Sequence, residues 1–174
     1  MEQLRNKVYD WTLELIKEGK ILQGLILMLS TWNFAYFRYH VKDFDLDGFE
    51  RAIKECGINY FEDKKFENID FGEKETKERI LKIYKTLSSF KGVRYVGAAK
   101  VMYFLCPNVF VMWDSKIIKH YKAKTSPEGY IEFIKKMQEM YKSGIFKNLE
   151  KRVSIPRAID LYNMNEYSMP GEIF

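Results

Sequence analysis

Apolar residues recur along most of the chain at the spacing of one helical face, and no segment alternates apolar and polar residues as a half-buried strand does. Gly, Pro and capping residues bound the recurring segments, as is typical of helix ends. The pattern therefore predicts an all-α fold, a compact multi-helix domain. The predicted helices cover residues 2–18, 21–37, 44–56, 74–88, 98–105, 127–143, 145–152 and 156–162, and a further helix begins at Asp114.

The first two helices have different patterns. Apolar residues of the first fall at steps of four, three and four, which predicts one buried face made of Leu4, Val8, Trp11 and Leu15. Segment 21–37 is apolar on all sides, which predicts a helix enclosed by others. Near its end lie Trp32 and Asn33, which either belong to the core, with a satisfied amide, or form the wall of a pocket.

Start and stop signals place the remaining elements. Asp45 or Asp47 is the predicted cap of the third helix, and Ser126 followed by a proline is a strong helix start. Residues 59–72 are polar and acidic without a clear period, which predicts a loop. Residues 163–174 are expected to lie over the surface.

The chain has 174 residues, of which 47% are apolar and 30% charged. This predicts a single helical domain over residues 1–174, with two helical lobes around a cleft as an alternative arrangement. Segment 21–37 is too short and polar for a membrane span, and no signal-peptide pattern opens the chain, so we expect a cytoplasmic protein without membrane association. Both histidines and both cysteines are isolated in the sequence, so we expect no metal and no cofactor.

The net charge of +5 is unevenly distributed along the chain. Residues 1–90 contain 15 Lys and Arg against 16 Asp and Glu, whereas residues 91–174 contain 14 against 8. The positive excess therefore lies wholly in the second half. It favours a polyanionic partner, nucleic acid first, and the alternative is a lysine-rich solvated surface.

Residues 91–121 combine two glycines, basic side chains, an apolar helix and an isolated acid. Gly92 and Gly97 bracket a predicted turn, and amides at the helix start that follows would attract an anion such as a phosphate. The basic residues close to this turn are Lys91, Arg94 and Lys100. The alternative is an ordinary helix-to-helix turn in which the glycines only relieve strain.

The order of these features resembles the helix-hairpin-helix DNA glycosylase superfamily. The similarity runs over GVRYVGAAK, through an apolar helix, to CPNVFVMWD, which ends at Asp114. Members of that superfamily carry a glycine-containing hairpin followed by a catalytic aspartate at the mouth of the active site. The resemblance implies a helix-hairpin-helix motif over about residues 74–106 and a catalytic role for Asp114. The residues it implies for contact with double-stranded DNA are Lys91, Gly92, Val93, Arg94, Tyr95 and Gly97.

In members of the superfamily that also cleave the strand, a lysine two residues after the last hairpin glycine forms a Schiff base. That position here is Ala99, and the neighbouring Lys100 is the candidate catalytic lysine. One branch of the superfamily holds an iron–sulfur cluster with a set of cysteines that this sequence lacks, so the resemblance implies no such cluster.

The resemblance implies base-excision DNA repair by hydrolysis of the N-glycosidic bond of a damaged or mispaired base. The base would be flipped into a pocket whose candidate walls are Trp32, Asn33 and Trp113. Asp114 would stabilise positive charge on the sugar or activate water, and it is also a good helix N-cap. The alternatives are a non-catalytic helix-hairpin-helix DNA-binding module and a helical protein with no nucleic-acid role.

Overall fold

The computed structural model describes residues 2–146, 149 and 151–168. Over these residues the chain forms helices and no strand, which confirms the predicted all-α fold. The α-helices are α1 (Glu2–Lys17), α2 (Ile21–Trp32), α3 (Phe34–His40), α4 (Leu46–Glu55), α5 (Lys74–Ser88), α6 (Arg94–Leu105), α7 (Ser115–Tyr121), α8 (Pro127–Lys142) and α9 (Ile155–Asn163). Short 3₁₀-helices lie at Val41–Asp43 and Ile58–Phe61, and a π-helix at Met164–Ser168. Within the described part of the chain, every helix is too short or too polar to cross a membrane.

Helix α6 is the centre of the core. All its residues from Gly97 to Phe104 are buried, because small and apolar side chains surround the helix on every side. Helices α1, α2 and α5 pack against it. The chain then continues through a buried extended segment, Val109 to Trp113, which leads directly to α7.

The buried face of α1 differs from the predicted one. Val8 is buried, but Leu4 and Trp11 are 56% and 46% exposed. The face that α1 turns toward α2 contains Thr12, because Gly24 of α2 approaches so closely that a Cβ there would lie 3.0 Å from the Thr12 carbonyl oxygen. The close contact between the two backbones therefore determines which face of α1 is buried. The spacing of the large apolar residues does not determine it.

The predicted single helix over residues 21–37 is wrong, since the chain breaks at Asn33. This residue ends α2 and begins α3, with φ −118° and ψ 20°. Its side-chain Nδ2 donates hydrogen bonds to the carbonyl oxygens of Gly92, at 2.8 Å, and Val93, at 3.2 Å. The break is therefore stabilised by a distant segment, and α3 is not enclosed by other helices.

The turn between α5 and α6 is shorter than predicted, because α6 begins at Arg94 rather than at residue 98. Gly92 has φ +89°, which only glycine adopts easily. Gly97 lies inside α6 and does not close the turn. A Cβ at Gly97 would lie 3.0 Å from Nδ2 of Asn33, so this glycine allows α6 to approach α2 closely.

Three predicted helix starts are confirmed by side-chain caps, namely Asp45, Asp114 and Ser126. The predicted helix over residues 145–152 lies partly outside the described residues, and those that are described there are not helical. The prediction for residues 163–174 is wrong for Asn163, which is fully buried at the end of α9. Its side chain accepts a hydrogen bond from the Tyr121 hydroxyl. Residues 169–174 lie outside the described part.

The predicted loop before α5 is irregular, as expected, but it buries Phe66 and Phe71. Gln138 of α8 holds it in place, because its side-chain Nε2 donates to the carbonyl oxygens of Phe66 and Ile69. These bonds satisfy backbone groups that the loop takes into the core.

We expect Gln138→Leu to lower the free energy of unfolding by about 2 to 4 kcal/mol, because it keeps the volume but leaves two buried carbonyl groups without a donor. Urea unfolding would measure the loss. The matched control is Gln23→Leu, at an exposed position of α2. Equal stability of the two variants would contradict the role of Gln138.

Candidate functional site

A cleft of about 630 Å³ opens where the junction of α2 and α3 meets the start of α6. It brings together side chains from four separate parts of the chain: α1, the α2–α3 junction, the start of α6 and the start of α7. The predicted site residues that line it are Trp32, Asn33, Val93, Arg94, Tyr95, Lys100 and Asp114. Lys91, Gly92, Gly97 and Trp113 are not lining residues.

Asp114 lines this cleft, and backbone hydrogen bonds fix its side chain. Its carboxylate Oδ1 accepts hydrogen bonds from the backbone amides of Lys116, at 2.9 Å, and Ile117, at 2.8 Å, and so caps α7. The buried segment before it fixes the backbone from the other side. Asp114 is therefore both a helix cap and a cleft residue, so the two sequence-based interpretations are compatible.

Lys100 lines the cleft although it is only 9% exposed. Its ammonium group donates a hydrogen bond to the carbonyl oxygen of Trp32, at the carboxyl end of α2. A helix carries partial negative charge at that end, which favours an ammonium group there. The preceding residue, Ala99, is fully buried in the core and does not line the cleft. In the register of α6 it is Lys100 that reaches the cleft.

An ion pair lies buried behind the cleft, between Arg157 and Asp160 of α9. The Arg157 guanidinium lies over the ring of Tyr9, 4.2 Å from its centre, and near the ring of Trp32, at 5.6 Å. This pair was not among the site residues predicted from the sequence. The signal that could have found it is an arginine and an aspartate three positions apart inside a short apolar helix.

Burial raises the pKa of the Asp160 carboxyl to about 6, although the positive charges of Arg157 and Lys100 lower it. The negative charge of Asp114 raises it further. The charges of Lys100 and Asp114 in the cleft therefore both influence the ionisation of Asp160.

The two predicted tryptophans have different positions. Trp32 forms a wall of the cleft, where its ring stacks on Tyr9 at 5.8 Å and meets the edge of Phe104. Its Nε1 is buried and has no hydrogen-bond partner among the described residues. Trp113 lies in the core instead, and its Nε1 donates to the Tyr95 carbonyl oxygen at 3.1 Å, so it supports the start of α6 from behind.

The rim of the cleft is positively charged. Residues 33–42 and 89–100, which pack together through Asn33, contain five Lys and Arg and no Asp or Glu. Arg94 is exposed and lies 5.0 Å from the centre of the Tyr36 ring. It also has φ +51°, an uncommon conformation for a residue other than glycine. The basic residues of these segments are Arg38, Lys42, Lys91, Arg94 and Lys100.

Comparison with known proteins finds no matching family model, no matching curated protein and no matching solved structure. The described residues also contain no group of three or more His, Cys, Asp or Glu side chains placed to hold a metal ion.

We expect Asp160→Asn to change how stability depends on pH. Because the pKa of Asp160 is raised from its ordinary 3.8 to about 6, its contribution to folding is complete below pH 3.8 and is lost as the pH rises through 6. The free energy of unfolding of the wild type, relative to the variant, should therefore increase by about 1 kcal/mol between pH 7 and pH 5.

Urea unfolding of both proteins at the two pH values measures this change. Asp10→Asn, at an exposed position of α1, is the control for the substitution itself. A difference between wild type and Asp160→Asn that is the same at both pH values would contradict the raised pKa.

Proposed function

We propose that the protein is a DNA-binding protein of the helix-hairpin-helix class. Helices α5 and α6, joined by the turn at residues 89–93, supply the motif, and the acid-free basic rim supplies the charge. More specifically, we propose that it is a DNA glycosylase that hydrolyses the N-glycosidic bond of a damaged or mispaired base. The observation that carries this proposal is that Lys100 and Asp114, from different helices, line one cleft beside the basic turn.

The rim favours a phosphate backbone for two reasons. Its two segments contain five cations and no carboxylate, and Arg94 and Lys100 of these line the cleft, so a polyanion meets no repulsion from these segments. The start of α6 also lacks a side-chain cap, and although the Arg94 amide reaches the Phe90 carbonyl oxygen at 3.5 Å, the amides of the first turn lie at the positive end of the helix. A backbone phosphate beside Arg94 would satisfy both features.

The cleft suits a flipped nucleotide. Trp32 and Tyr95 provide aromatic surface for a base, and base–aromatic stacking depends little on the identity of the base. In the proposed reaction the bond between C1′ and the base nitrogen breaks, and its electron pair leaves with the base. Water adds to C1′ and keeps one proton as the new hydroxyl group, while its other proton passes to the departing base nitrogen, directly or through solvent. Asp114 stabilises the positive charge that develops on the sugar, while Lys100 stabilises the departing base.

A second candidate function is a non-catalytic DNA-binding module. The observation that favours it is that both proposed catalytic residues also have structural roles, Asp114 as the cap of α7 and Lys100 as donor to the Trp32 carbonyl. In that case the basic rim would bind DNA without cleavage. Measurements of binding and of excision separate the two functions.

We expect the wild type to bind duplex DNA and Arg94→Glu to bind it more weakly, because the substitution puts a carboxylate where a phosphate lies. Fluorescence anisotropy at several salt concentrations measures this. The slope of log K against log salt concentration should become shallower by about 1. Arg51→Glu makes the same charge change at an exposed position of α4 that does not line the cleft. Equal binding by the two variants would contradict the assignment of the rim.

We expect excision from a duplex that contains an oxidised, alkylated, deaminated or mismatched base, and loss of excision on Asp114→Asn by a factor of roughly 10² or more. Strand breakage by alkali after incubation reports the excised sites. Asparagine also caps helices well, so α7 should remain intact. The control is Asp45→Asn, which changes the aspartate cap of α4 away from the cleft.

A duplex panel without any excision would favour the binding module over the enzyme. Equal activity of Asp114→Asn and Asp45→Asn would rule out the catalytic role of Asp114. Borohydride trapping with Lys100→Gln as comparison tests separately whether this lysine forms a covalent intermediate with the sugar.

A further inference from the structure

Helix α3 and the residues after it expose an unusual amount of apolar side chain. Phe34 is 52% exposed and Tyr39 is 70% exposed, and the same short region exposes Val41 and Leu46. Within the described chain the other exposed large apolar residues are scattered over distant segments. Only Phe37 of α3 is buried, so this one residue anchors the helix.

The exposed rings of α3 are arranged with cations. The Arg38 guanidinium lies over the Phe34 ring at 5.1 Å and over the Tyr39 ring at 4.5 Å, and it donates a hydrogen bond to the Tyr39 hydroxyl at 2.6 Å. Tyr36 contacts the ring of His40 at 4.5 Å. We call the surface made of Phe34, Tyr36, Arg38, Tyr39 and His40 the α3 platform.

The α3 platform is continuous with the cleft. Phe34 and Tyr36 line the cleft at the amino-terminal end of α3, and Arg94 of the basic rim lies over Tyr36. Tyr39 and His40 lie at the other end of the helix. A strand that leaves the cleft in this direction would pass along exposed rings with cations between them.

The charge and the side chains of the α3 platform indicate which kind of ligand it binds. Residues 33–42 contain no carboxylate, and acidic residues begin only at Asp43, beyond the platform. Exposed aromatic rings in a cationic groove are the means by which proteins bind unpaired bases, since each base can stack on a ring while its phosphates meet the cations. Paired bases are already stacked on each other and would leave the rings uncovered.

We infer that the α3 platform binds unpaired nucleobases, so that the protein prefers DNA with a single-stranded segment next to the nucleotide in the cleft. This inference rests on the proposed function, since it places that strand beside the same cleft. It adds a preference for gapped or single-stranded DNA that a binding site for intact duplex would not have.

Binding of labelled oligonucleotides of one sequence, as an intact duplex and as a duplex with a short gap, tests the inference at fixed salt. Stacking contributes about 1 to 3 kcal/mol per base, so the gapped form should bind at least about 5-fold more tightly. The variant Tyr39→Ala, at a position that does not line the cleft, should lose most of this preference and keep its affinity for the intact duplex. Trp11→Ala, which removes an exposed ring of α1, should behave as the wild type.

A second measurement reports stacking directly. The fluorescence of 2-aminopurine placed in the gap should be quenched by the wild type and by Tyr39→Phe, which keeps the ring. Tyr39→Ala should quench it less.

The outcomes separate the inference from the proposed function. Equal affinity for gapped and intact duplex, with binding still weakened by Arg94→Glu, overturns only the α3 platform. Failure to bind either DNA overturns both proposals. Self-association in sedimentation that Tyr39→Ala abolishes, without a preference for gapped DNA, would make the platform an interface between copies of the chain and overturn the inference.

Discussion

The side-chain amide of Asn33 is the interaction on which the arrangement of the cleft depends. One Nδ2 group donates to two consecutive carbonyl oxygens of the turn, Gly92 and Val93, and so joins the end of α2 to the start of α6. The Gly92 carbonyl would cost about 1 to 3 kcal/mol if it were buried without a donor, whereas the Val93 carbonyl also accepts from the Gly97 amide. Gly97 permits the approach because a Cβ there would press on the same amide. This contact therefore holds the junction of α2 and α3 against the start of α6, where the cleft lies.

Stability alone does not explain why charged side chains are buried around the cleft. Lys100, Arg157 and Asp160 are each less than a tenth exposed, and a buried ion pair is often no more stable than well-packed apolar residues of similar volume. Removing one partner, in contrast, leaves the other charge buried and unpaired. The arrangement thus contributes little net stability while it holds each charged group in one position. Such fixed charges are what the proposed reaction requires beside a sugar and a leaving base.

Local signals in the sequence predicted most helix boundaries, whereas distant contacts decided what the sequence did not show. Asp45 and Ser126 were found because a cap acts within three residues. The break at Asn33 was missed because its hydrogen-bond partners lie about sixty residues away. Trp11 was assigned to the core because its spacing fits, but the close backbone contact at Gly24 turns another face inward. Of the cleft residues, Asp114 could be found from its position after an apolar run. Lys100 faces the cleft because α6 begins at Arg94. The two glycines, Gly92 and Gly97, predicted a later start for this helix.

Capping and charge act together at Asp114. A cap position fixes the carboxylate by two backbone hydrogen bonds from Lys116 and Ile117, and the positive end of α7 stabilises its negative charge. The buried segment that ends at Trp113 removes the remaining freedom of the backbone. A carboxylate held in this way needs little reorganisation when positive charge develops beside it, which is the condition for electrostatic stabilisation of a transition state. Asp45 has the same capping chemistry but no cleft. What distinguishes Asp114 is therefore its surroundings, namely Lys100, the aromatic walls and the basic rim, and the proposed function follows from that combination.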